Sequence, residues 1–351
     1  MQALYSKPAV IFFFALALTF THLSSFGAPV DSPRVQLPDD QAKWTVAADG
    51  SGYYVSIQEA IDAAQSGDTI WIKAGTYAED VTVHSKEGLK IIGEQMNLVI
   101  LTGLKRVGTL HVGKWPYGAK NVEIHNLTVM QHGGLGLGIF NGGGILLKHL
   151  EVKGMVFGQD VEDVRLEHCV IGGSETTGVA FANSKATLLG NYIHDNDHGV
   201  AIGGRSEVVL KQNVITRSLF EGIMVNDAAN AVAIQNTIVR NGGGMAFHDQ
   251  TRGEAHGNIL MLSQTAFLFS PQSETTLSFN VLFANKVDYL IEGSDSGSAF
   301  PEGRRGKDDV TTPPAFVNAE QDDFRLRSDT KLRDIGTFPF LGALPPVGPH
   351  P

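Results

Sequence analysis

The chain has 351 residues, 42% of them hydrophobic and 18% charged, which is the composition of a folded globular protein. Its formal net charge of −10 argues against a nucleic-acid-binding protein, which would present a basic face. A single cysteine, Cys169, excludes an internal disulfide. Acidic polysaccharides stay open as partners, because a local arginine patch or a bound Ca²⁺ serves them in an acidic protein.

The first 27 residues are typical of a secretory signal peptide. Lys7 supplies a positive charge, and residues 9–20 form an apolar stretch that is too short to span a bilayer. Residues 28–43 are predicted to be a polar leader, and no later stretch is apolar enough to cross a membrane. We therefore expect a secreted or periplasmic protein without a membrane span, acting as a monomer.

A short amphipathic helix is predicted over residues 56–64. Ser56 and Glu59 form a capping box, Ile57 and Ile61 follow at helical spacing, and Gly67 stops the helix. Short alternating segments then predict strands at 69–73, 81–83, 89–92 and 99–101. Because a stack of such strands has an exposed apolar end, we expect the helix to cap the first turn of the stack.

An internal repeat dominates the middle of the chain. Asparagines recur at 191, 213, 236, 258 and 280, so the intervals are 22, 23, 22 and 22 residues. Each unit holds short alternating segments separated by Gly, Asn and Asp, which are strand and turn signals. Units of this length that cannot bury their own apolar face must stack on one another. The repeat predicts an all-β, single-stranded right-handed parallel β-helix, a solenoid, over residues 44–293.

The recurring asparagine is interpreted as structural rather than catalytic, because every unit carries one. A buried asparagine at an interior bend can bond the backbone and the asparagine of the next rung, meaning the next turn of the stack. This interpretation predicts a ladder of amides running along the interior.

Three segments near the N-terminus carry a family resemblance: 46–53, 57–61 and 72–79. They resemble the opening of pectin methylesterases and other pectin-lyase-fold proteins, and the resemblance covers about residues 44–103. The esterase motifs are missing. Gly154 stands where the family has its catalytic aspartate, and two further motifs have no counterpart. The resemblance thus implies the fold but not a standard pectin methylesterase.

Residues 121–295 also resemble the generic right-handed β-helix repeat of exported carbohydrate-binding and sugar-hydrolase proteins, including periplasmic accessory proteins. Residues 294–351 are predicted to be a polar loop followed by a capping tail, whose apolar residues fold back over the last rung.

Function in a stacked fold arises where polar residues of neighbouring rungs form a column. Four places past each anchor position, the repeat predicts Asp195, Arg217 and Arg240 as neighbours on three successive rungs. Just before the next strand, it places His198 over Glu221. Together with Asp197, these residues form the candidate catalytic set.

Several kinds of chemistry fit this set. Arg217 or Arg240 can bind a uronate carboxylate, while His198 beside Glu221 exchanges a proton with the sugar, as in a lyase or epimerase. Asp195 and Asp197 can instead be a carboxylate pair for hydrolysis, or ligands of Ca²⁺. The alternative without function is a solvated turn with a ladder of ion pairs. No metal ligand set is assigned.

A second polar cluster follows the next strand in each rung and is a weaker candidate for substrate binding. Its members are Arg205, Asp227, His248, Asp249 and Arg252. Asn and Asp favour turns anyway, so a purely structural role is the competing interpretation.

Two classes of function remain open. The first is an exported carbohydrate-active protein that acts on or binds an acidic polysaccharide such as a polyuronate, with lyase, epimerase or hydrolase-like chemistry. The second is a non-catalytic carbohydrate-binding or periplasmic scaffold protein. Fold alone does not choose between them.

Overall fold

The computed structural model describes residues 32–36, 43–104, 108–294 and 300–347. The predicted signal peptide and most of the predicted leader lie outside these residues. The described chain is a stack of parallel strands in which each strand pairs with the equivalent strand about 22 residues further on. The prediction of an all-β parallel β-helix is therefore confirmed.

The stack has three faces. Face A is an 11-stranded parallel sheet. Its strands are Thr45–Val46, Thr69–Ile72, Lys90–Gly93, Glu123–His125, Gly143–Lys148, Glu162–Glu167, Lys185–Leu189, Glu207–Lys211, Asn230–Ile234, Arg252–His256 and Glu274–Ser278.

Face B follows face A in each rung. Its strands are Gly75–Ala78, Val99–Thr102, Val170–Gly172, Tyr192–His194, Val214–Thr216, Thr237–Val239, Ile259–Met261 and Val281–Phe283. Face C comes next, with strands Val81–Val83, Leu110–Val112, Thr177–Ala182, His198–Gly203, Glu221–Val225, Gly243–Phe247, Thr265–Phe269 and Val287–Ile291. Two longer strands, Thr128–Phe140 and Glu151–Gln159, run through both faces.

The interior of the stack is filled by the alternate apolar residues of each strand. On face C, Val179, Val200, Ile223, Met245 and Phe267 lie in one register column, and each is at most 1% exposed. Within each strand, the residue that follows this column position points outward. Because successive strand side chains alternate in direction, the sequence pattern decides which side chains reach the surface.

The N-terminal cap is the helix Ile57–Ala63. The Ser56 hydroxyl accepts a hydrogen bond from the Glu59 amide at 3.2 Å, so Ser56 is the N-cap, as predicted. Glu79 adds to it by accepting from the Ile57 amide at 2.7 Å. The apolar side of the helix, which includes Ile57 and Ile61, joins the core of the first rungs. The predicted position and role of this helix agree with the structure.

The five recurring asparagines are buried and hydrogen bonded from rung to rung. The Asn191 side-chain amide donates to Oδ1 of Asn213 at 2.9 Å, and the same bond repeats at each following rung to Asn280. Each side-chain nitrogen also donates to a backbone carbonyl at 2.9 Å. The side-chain amides of these five asparagines are thereby satisfied, which gives the repeat a structural cause.

A second ladder, which the sequence analysis missed, lies where face B turns into face C. Here serine and asparagine alternate. The amides of Ser174, Ser218 and Ser263 donate to the side-chain oxygens of Asn196, Asn241 and Asn285 at 3.0, 2.8 and 3.1 Å. The sequence pattern does not reveal this ladder, because only every second rung carries an asparagine at this position.

The C-terminal end of the stack is closed by residues 300–310. Asp309 takes the place of the next asparagine, since its carboxylate accepts from the Asn280 amide at 2.7 Å and from the Tyr289 hydroxyl at 2.6 Å. Burial raises the pKa of this carboxyl and raises that of Tyr289 as well. The spacing from Asn280 to Asp309 departs from the repeat of 22, so the sequence gives no sign of this last step.

The tail beyond residue 315 corrects a prediction. The apolar residues that the structure describes in this tail do not fold over the end of the last rung. They pack along the outside of face B, where Phe324, Leu326 and Leu332 form one buried cluster with Tyr192 and Val281. The outward residues of these face B strands are apolar, so they require a cover, and the tail supplies it along several rungs. Two hairpins build it, Phe316–Asn318 with Asp323–Leu326 and Arg333–Ile335 with Phe338–Phe340.

Within the described residues, no helix has the length and apolar character needed to cross a membrane.

Candidate functional site

The predicted column lies at the edge where face B turns into face C, which we call the B–C edge. Asp195, Arg217 and Arg240 occupy the same position on three rungs, and all have positive φ angles of 53°, 57° and 59°. Arg217 donates two hydrogen bonds to Asp195, from Nε to Oδ1 at 2.7 Å and from Nη2 to Oδ2 at 2.8 Å. The register of the repeat therefore brings an acid and a base into a forked ion pair.

A fourth charged side chain, Asp322, enters this column from the tail. Its carboxylate accepts hydrogen bonds from Nη1 of Arg217 and from the Tyr192 hydroxyl, the latter at 3.0 Å, and lies 3.6 Å from Nη1 of Arg240. The Asp322 side chain is only 7% exposed. The two stacked arginines are thus offset by carboxylates on both sides, and one of them comes from a segment that the repeat does not include.

The electrostatics of this cluster follow from its burial and its bonds. Burial alone would raise the pKa of Asp195, but hydrogen bonds from Arg217 and His194 hold it well below the usual range. The bond to Asp195 raises the pKa of Arg217. Burial raises the pKa of Tyr192 to about 12. Both members of the ion pair are therefore charged at neutral pH, and Tyr192 is a neutral donor.

His198 and Glu221 lie on the other side of the B–C edge, at the start of face C. Nδ1 of His198 is 3.1 Å from Oε2 of Glu221, although the two atoms are not aligned for a hydrogen bond. The neighbouring His198 lowers the pKa of Glu221 against the opposing effect of burial. Both side chains are about a quarter exposed, so solvent or a ligand can reach them.

An exposed apolar pair, also missed by the sequence analysis, adjoins these residues. Leu219 is 64% and Phe220 49% exposed, and the Phe220 ring stacks on His198 with 5.0 Å between ring centroids. A shallow groove of about 350 Å³ begins beside Phe220 and Glu221 and continues over Gly243 toward Leu268. Gly243 leaves this space open, because the equivalent positions on the neighbouring rungs carry the Glu221 and Thr265 side chains.

Asp197 is half-buried at the same edge, where its carbonyl accepts from the Phe220 amide at 2.8 Å. The candidate catalytic set is therefore divided. Arg217 and Arg240 contact Asp322 of the tail, and Asp195 is bonded to Arg217. Glu221 lines the open groove, and His198 lies beside Glu221. Among the residues that the structure describes, no group of three or more His, Cys, Asp or Glu side chains is placed to hold a metal ion.

The second cluster lies at the turn after face C, and its acids are engaged with the backbone. Asp227 accepts from the Gly204 amide at 2.7 Å, and Asp249 accepts from the Asp227 amide at 3.0 Å. Both have positive φ angles. Hydrogen bonds from backbone amides to Asp side chains are typical of turns, so these two acids have a structural role here.

The other members of this cluster are distributed around the same turn. His248 bonds Glu292 two rungs away. Arg252 pairs with Glu274 at 3.2 Å, with both side chains more than 70% exposed, and Arg205 is exposed. These five residues therefore form no single pocket in the described part of the chain.

Comparison with known proteins places this architecture in a family. The family described as "Right handed beta helix region" matches residues 115–300, just over half of the 351-residue chain. The chain therefore belongs to the right-handed β-helix proteins. A second family, "Pectinesterase", matches residues 43–124, which includes the segment whose resemblance the sequence showed.

Curated relatives match a limited part of the chain. The chain is 35% identical over 86 residues to "Probable pectinesterase/pectinesterase inhibitor 17" of Arabidopsis thaliana, covering 24% of this chain and 17% of that protein. It is 43% identical over 72 residues to "Pectinesterase 2" of Citrus sinensis, covering 19% of this chain and 14% of that protein. The chain thus spans less than a fifth of either relative's length.

A solved structure extends the likeness to most of the chain. The crystal structure of a pectate lyase superposes with a TM-score of 0.52 and 14% identity, covering 86% of this chain and 96% of the other. At this level of identity the likeness shows a shared pectin-lyase fold and no more.

Proposed function

We propose that this is an exported carbohydrate-active protein that binds an acidic polysaccharide across the B–C edge and acts on it by lyase, epimerase or hydrolase-like chemistry. One observation carries the proposal. On three adjacent rungs, an exposed aromatic ring, a histidine–carboxylate pair and a partly exposed guanidinium occupy the same edge, beside an open groove. Export rests on the signal-like residues 1–27.

Each group has a role in sugar recognition. The Phe220 ring offers an apolar platform for the face of a sugar, while His198 and Glu221 exchange hydrogen bonds with its hydroxyls. Arg240 has one ion pair among the described residues, at 3.6 Å, and its side chain is 31% exposed. Its remaining N–H groups are suited to a uronate carboxylate.

The substrate class is supported by the relatives. Those named above are pectinesterases and a pectate lyase, whose names refer to acidic plant polysaccharides. A protein with a net charge of −10 needs a local cation for such a ligand, and Arg240 provides one at the B–C edge.

A specific observation also favours the second candidate, a non-catalytic binding protein. Arg217 already holds two carboxylates, Asp195 and Asp322, so the stronger of the two arginine sites is filled by the chain itself. A surface that retains one available cation and an aromatic platform can bind a polysaccharide without turning it over.

The proposal is tested with oligogalacturonates, oligomannuronates and neutral xylo-oligosaccharides. Binding is measured by calorimetry, and turnover by new reducing ends and by the ultraviolet absorbance of unsaturated uronate, with and without added CaCl₂. We expect uronate oligomers to bind and Phe220→Ala to weaken them about tenfold or more, since the variant removes a large apolar contact. Lys185→Ala on face A is the matched control.

The outcomes separate the candidates. Turnover of any uronate polymer supports the enzyme, and binding without turnover supports the scaffold. If Phe220→Ala and Lys185→Ala bind as well as the natural protein, the B–C edge is not the polysaccharide site.

A further inference from the structure

A second groove opens on face B, next to the B–C edge and at the rungs that precede the tail's cover. It has a volume of about 380 Å³. Its lining includes Glu151, Lys153, Gly172, Glu175 and His194, together with Asp195 of the candidate set. The first five do not belong to the set that the repeat predicts. The groove therefore brings a histidine, a lysine and three carboxylates to a surface that the proposed function has not used.

His194 is held in one orientation by the charges behind it. Its Nδ1 lies 2.7 Å from Oδ2 of Asp195, which Arg217 grips from the opposite side. Asp322 of the tail in turn fixes Arg217. The Tyr192 ring lies against the imidazole, with 4.7 Å between ring centroids and 32° between planes. A continuous series of bonds thus runs from the tail to this histidine.

This orientation determines what His194 offers to the groove. A ring nitrogen that bonds a carboxylate carries the proton, so the neutral imidazole keeps its lone pair on Nε2. Gly172 lies beneath that nitrogen, and a Cβ atom at this position would approach Nε2 to 2.9 Å. The absence of a side chain at Gly172 therefore leaves Nε2 open to the groove.

We propose that His194 is the proton-accepting catalytic residue of a uronate lyase reaction, with Asp195 and Arg217 as its positioning residues. The proposal rests on the proposed function and names the residue that performs its chemistry. The proton on C5 of a uronate passes to Nε2. The electron pair of the C5–H bond forms the C4–C5 double bond, and the bond from C4 to the glycosidic oxygen breaks. The departing oxygen takes a proton from water, and the imidazolium then gives its proton to the hydroxide that remains. Asp195 stabilises the imidazolium that results.

The other charges of the groove fit an anionic sugar at one place. The Lys153 ammonium is 44% exposed and lies 3.5 Å from Glu151, so it can turn toward a uronate carboxylate. That contact offsets the negative charge that develops as C5 loses its proton. Glu175 is exposed at the rim, and the negative charge of Asp195 is offset by the Arg217 guanidinium. His198 and Phe220, across the edge, then serve to bind the polymer.

The first test needs no turnover. The 15N shifts of the imidazole nitrogens at pH 8.5 report which nitrogen carries the proton, and His194→Gln and His198→Gln variants assign the two rings. We expect the Nδ1–H form for His194. The Nε2–H form would overturn the proposal, whatever the protein does with sugars.

The second test adds tetragalacturonate and tetramannuronate to the same samples. We expect the Nε2 signal of His194 to shift. A shift at His198 with none at His194 overturns the assignment of His194 but keeps the proposed polysaccharide site. If neither ring responds and calorimetry detects no binding, the proposed function fails, and the role of His194 fails with it.

Kinetics complete the comparison. His194→Gln should lower kcat about 100-fold or more with little change in KM, as expected when a general base is lost. His198→Gln should mainly raise KM, and Lys185→Ala should change neither value. Asp195→Asn should lower kcat as well, because the imidazole loses its orienting charge. Undiminished kcat in His194→Gln would overturn the proposal.

Discussion

The two sides of the B–C edge are built from the same kind of sequence, but the tail contacts the polar residues on one side and not those on the other. On the tail side, Asp195 and Arg217 form an ion pair, and Asp322 of the tail binds the Arg217 guanidinium. On the open side, His198 and Glu221 lie 3.1 Å apart under an exposed Phe220, with a groove beside them. Both pairs are polar residues stacked on neighbouring rungs. What separates them is the tail, which covers part of face B, from Tyr192 to Val281, and leaves face C open.

The difference shows that a column of stacked polar residues has no fixed meaning. Like-charged arginines on neighbouring rungs repel each other unless anions offset them. Here the offset comes from within the chain, so Arg217 is first a structural clamp. The same clamp also positions His194 for the neighbouring groove. A structural ion pair and a candidate site are therefore parts of one network.

The largest expected effect comes from removing the cover. Phe324 is 1% exposed in the tail's apolar cluster, and its ring meets that of Phe316 edge to face. Phe324→Ala should reduce the free energy of unfolding by about 3–5 kcal/mol, through lost burial and the cavity that remains. Denaturant unfolding, together with hydrogen exchange of the tail amides, measures it. Val317→Ala, at a tail residue that is 40% exposed, is the control and should change stability by less than about 0.5 kcal/mol.

The next effect concerns the clamp. Arg217→Ala leaves the buried Asp322 carboxylate with a weaker partner, so we expect a loss of about 1–3 kcal/mol in unfolding free energy. Arg252→Ala removes an ion pair whose two side chains are 73% and 75% exposed, and it should cost no more than about 0.5 kcal/mol. If Arg217→Ala is as stable as the natural protein, Arg217 does not stabilise the fold and serves to bind a ligand. The two sides of the B–C edge would then not differ in the role of their polar residues.

A smaller effect should appear in the dependence of stability on pH. The pKa of Asp195 is lowered in the folded protein, so its ion pair stabilises the fold above the unfolded value of about 3.9 and is lost as the pH falls further. Urea unfolding at pH 7 and pH 3 should therefore show a smaller loss on acidification in Asp195→Asn than in the natural protein. Equal losses in both proteins would show that this carboxyl titrates alike when folded and unfolded.

The smallest effect on stability is expected on the open side. Phe220 is 49% exposed, so Phe220→Ala should change the unfolding free energy by less than about 1 kcal/mol. Its effect on uronate binding should nevertheless exceed that of any tail variant that keeps the fold. Thermal melts beside calorimetric titrations compare the two. A destabilised Phe220→Ala with normal binding would mean that this ring supports the turn rather than a ligand.

The sequence by itself determined the repeat and the neighbours within it. A fixed interval of about 22 residues converts distance along the chain into position in a stack, so Asn191 above Asn213, Asp195 beside Arg217 and His198 over Glu221 follow from counting. The helix at Ile57–Ala63 follows from local capping chemistry in the same way. Such contacts are predictable because each lies one rung away and every rung has the same geometry.

Only the tertiary structure decided which segments cover the side and the end of the stack. Asp322 meets Arg217 across 105 residues, and Asp309 joins the asparagine ladder at an interval of 29, so neither contact follows the period. The groove at His194 depends on where the tail's cover ends and on the missing side chain of Gly172. The position of the tail is set by apolar contacts spread over several rungs, which no local pattern encodes. That packing closes one side of the edge and leaves the other open.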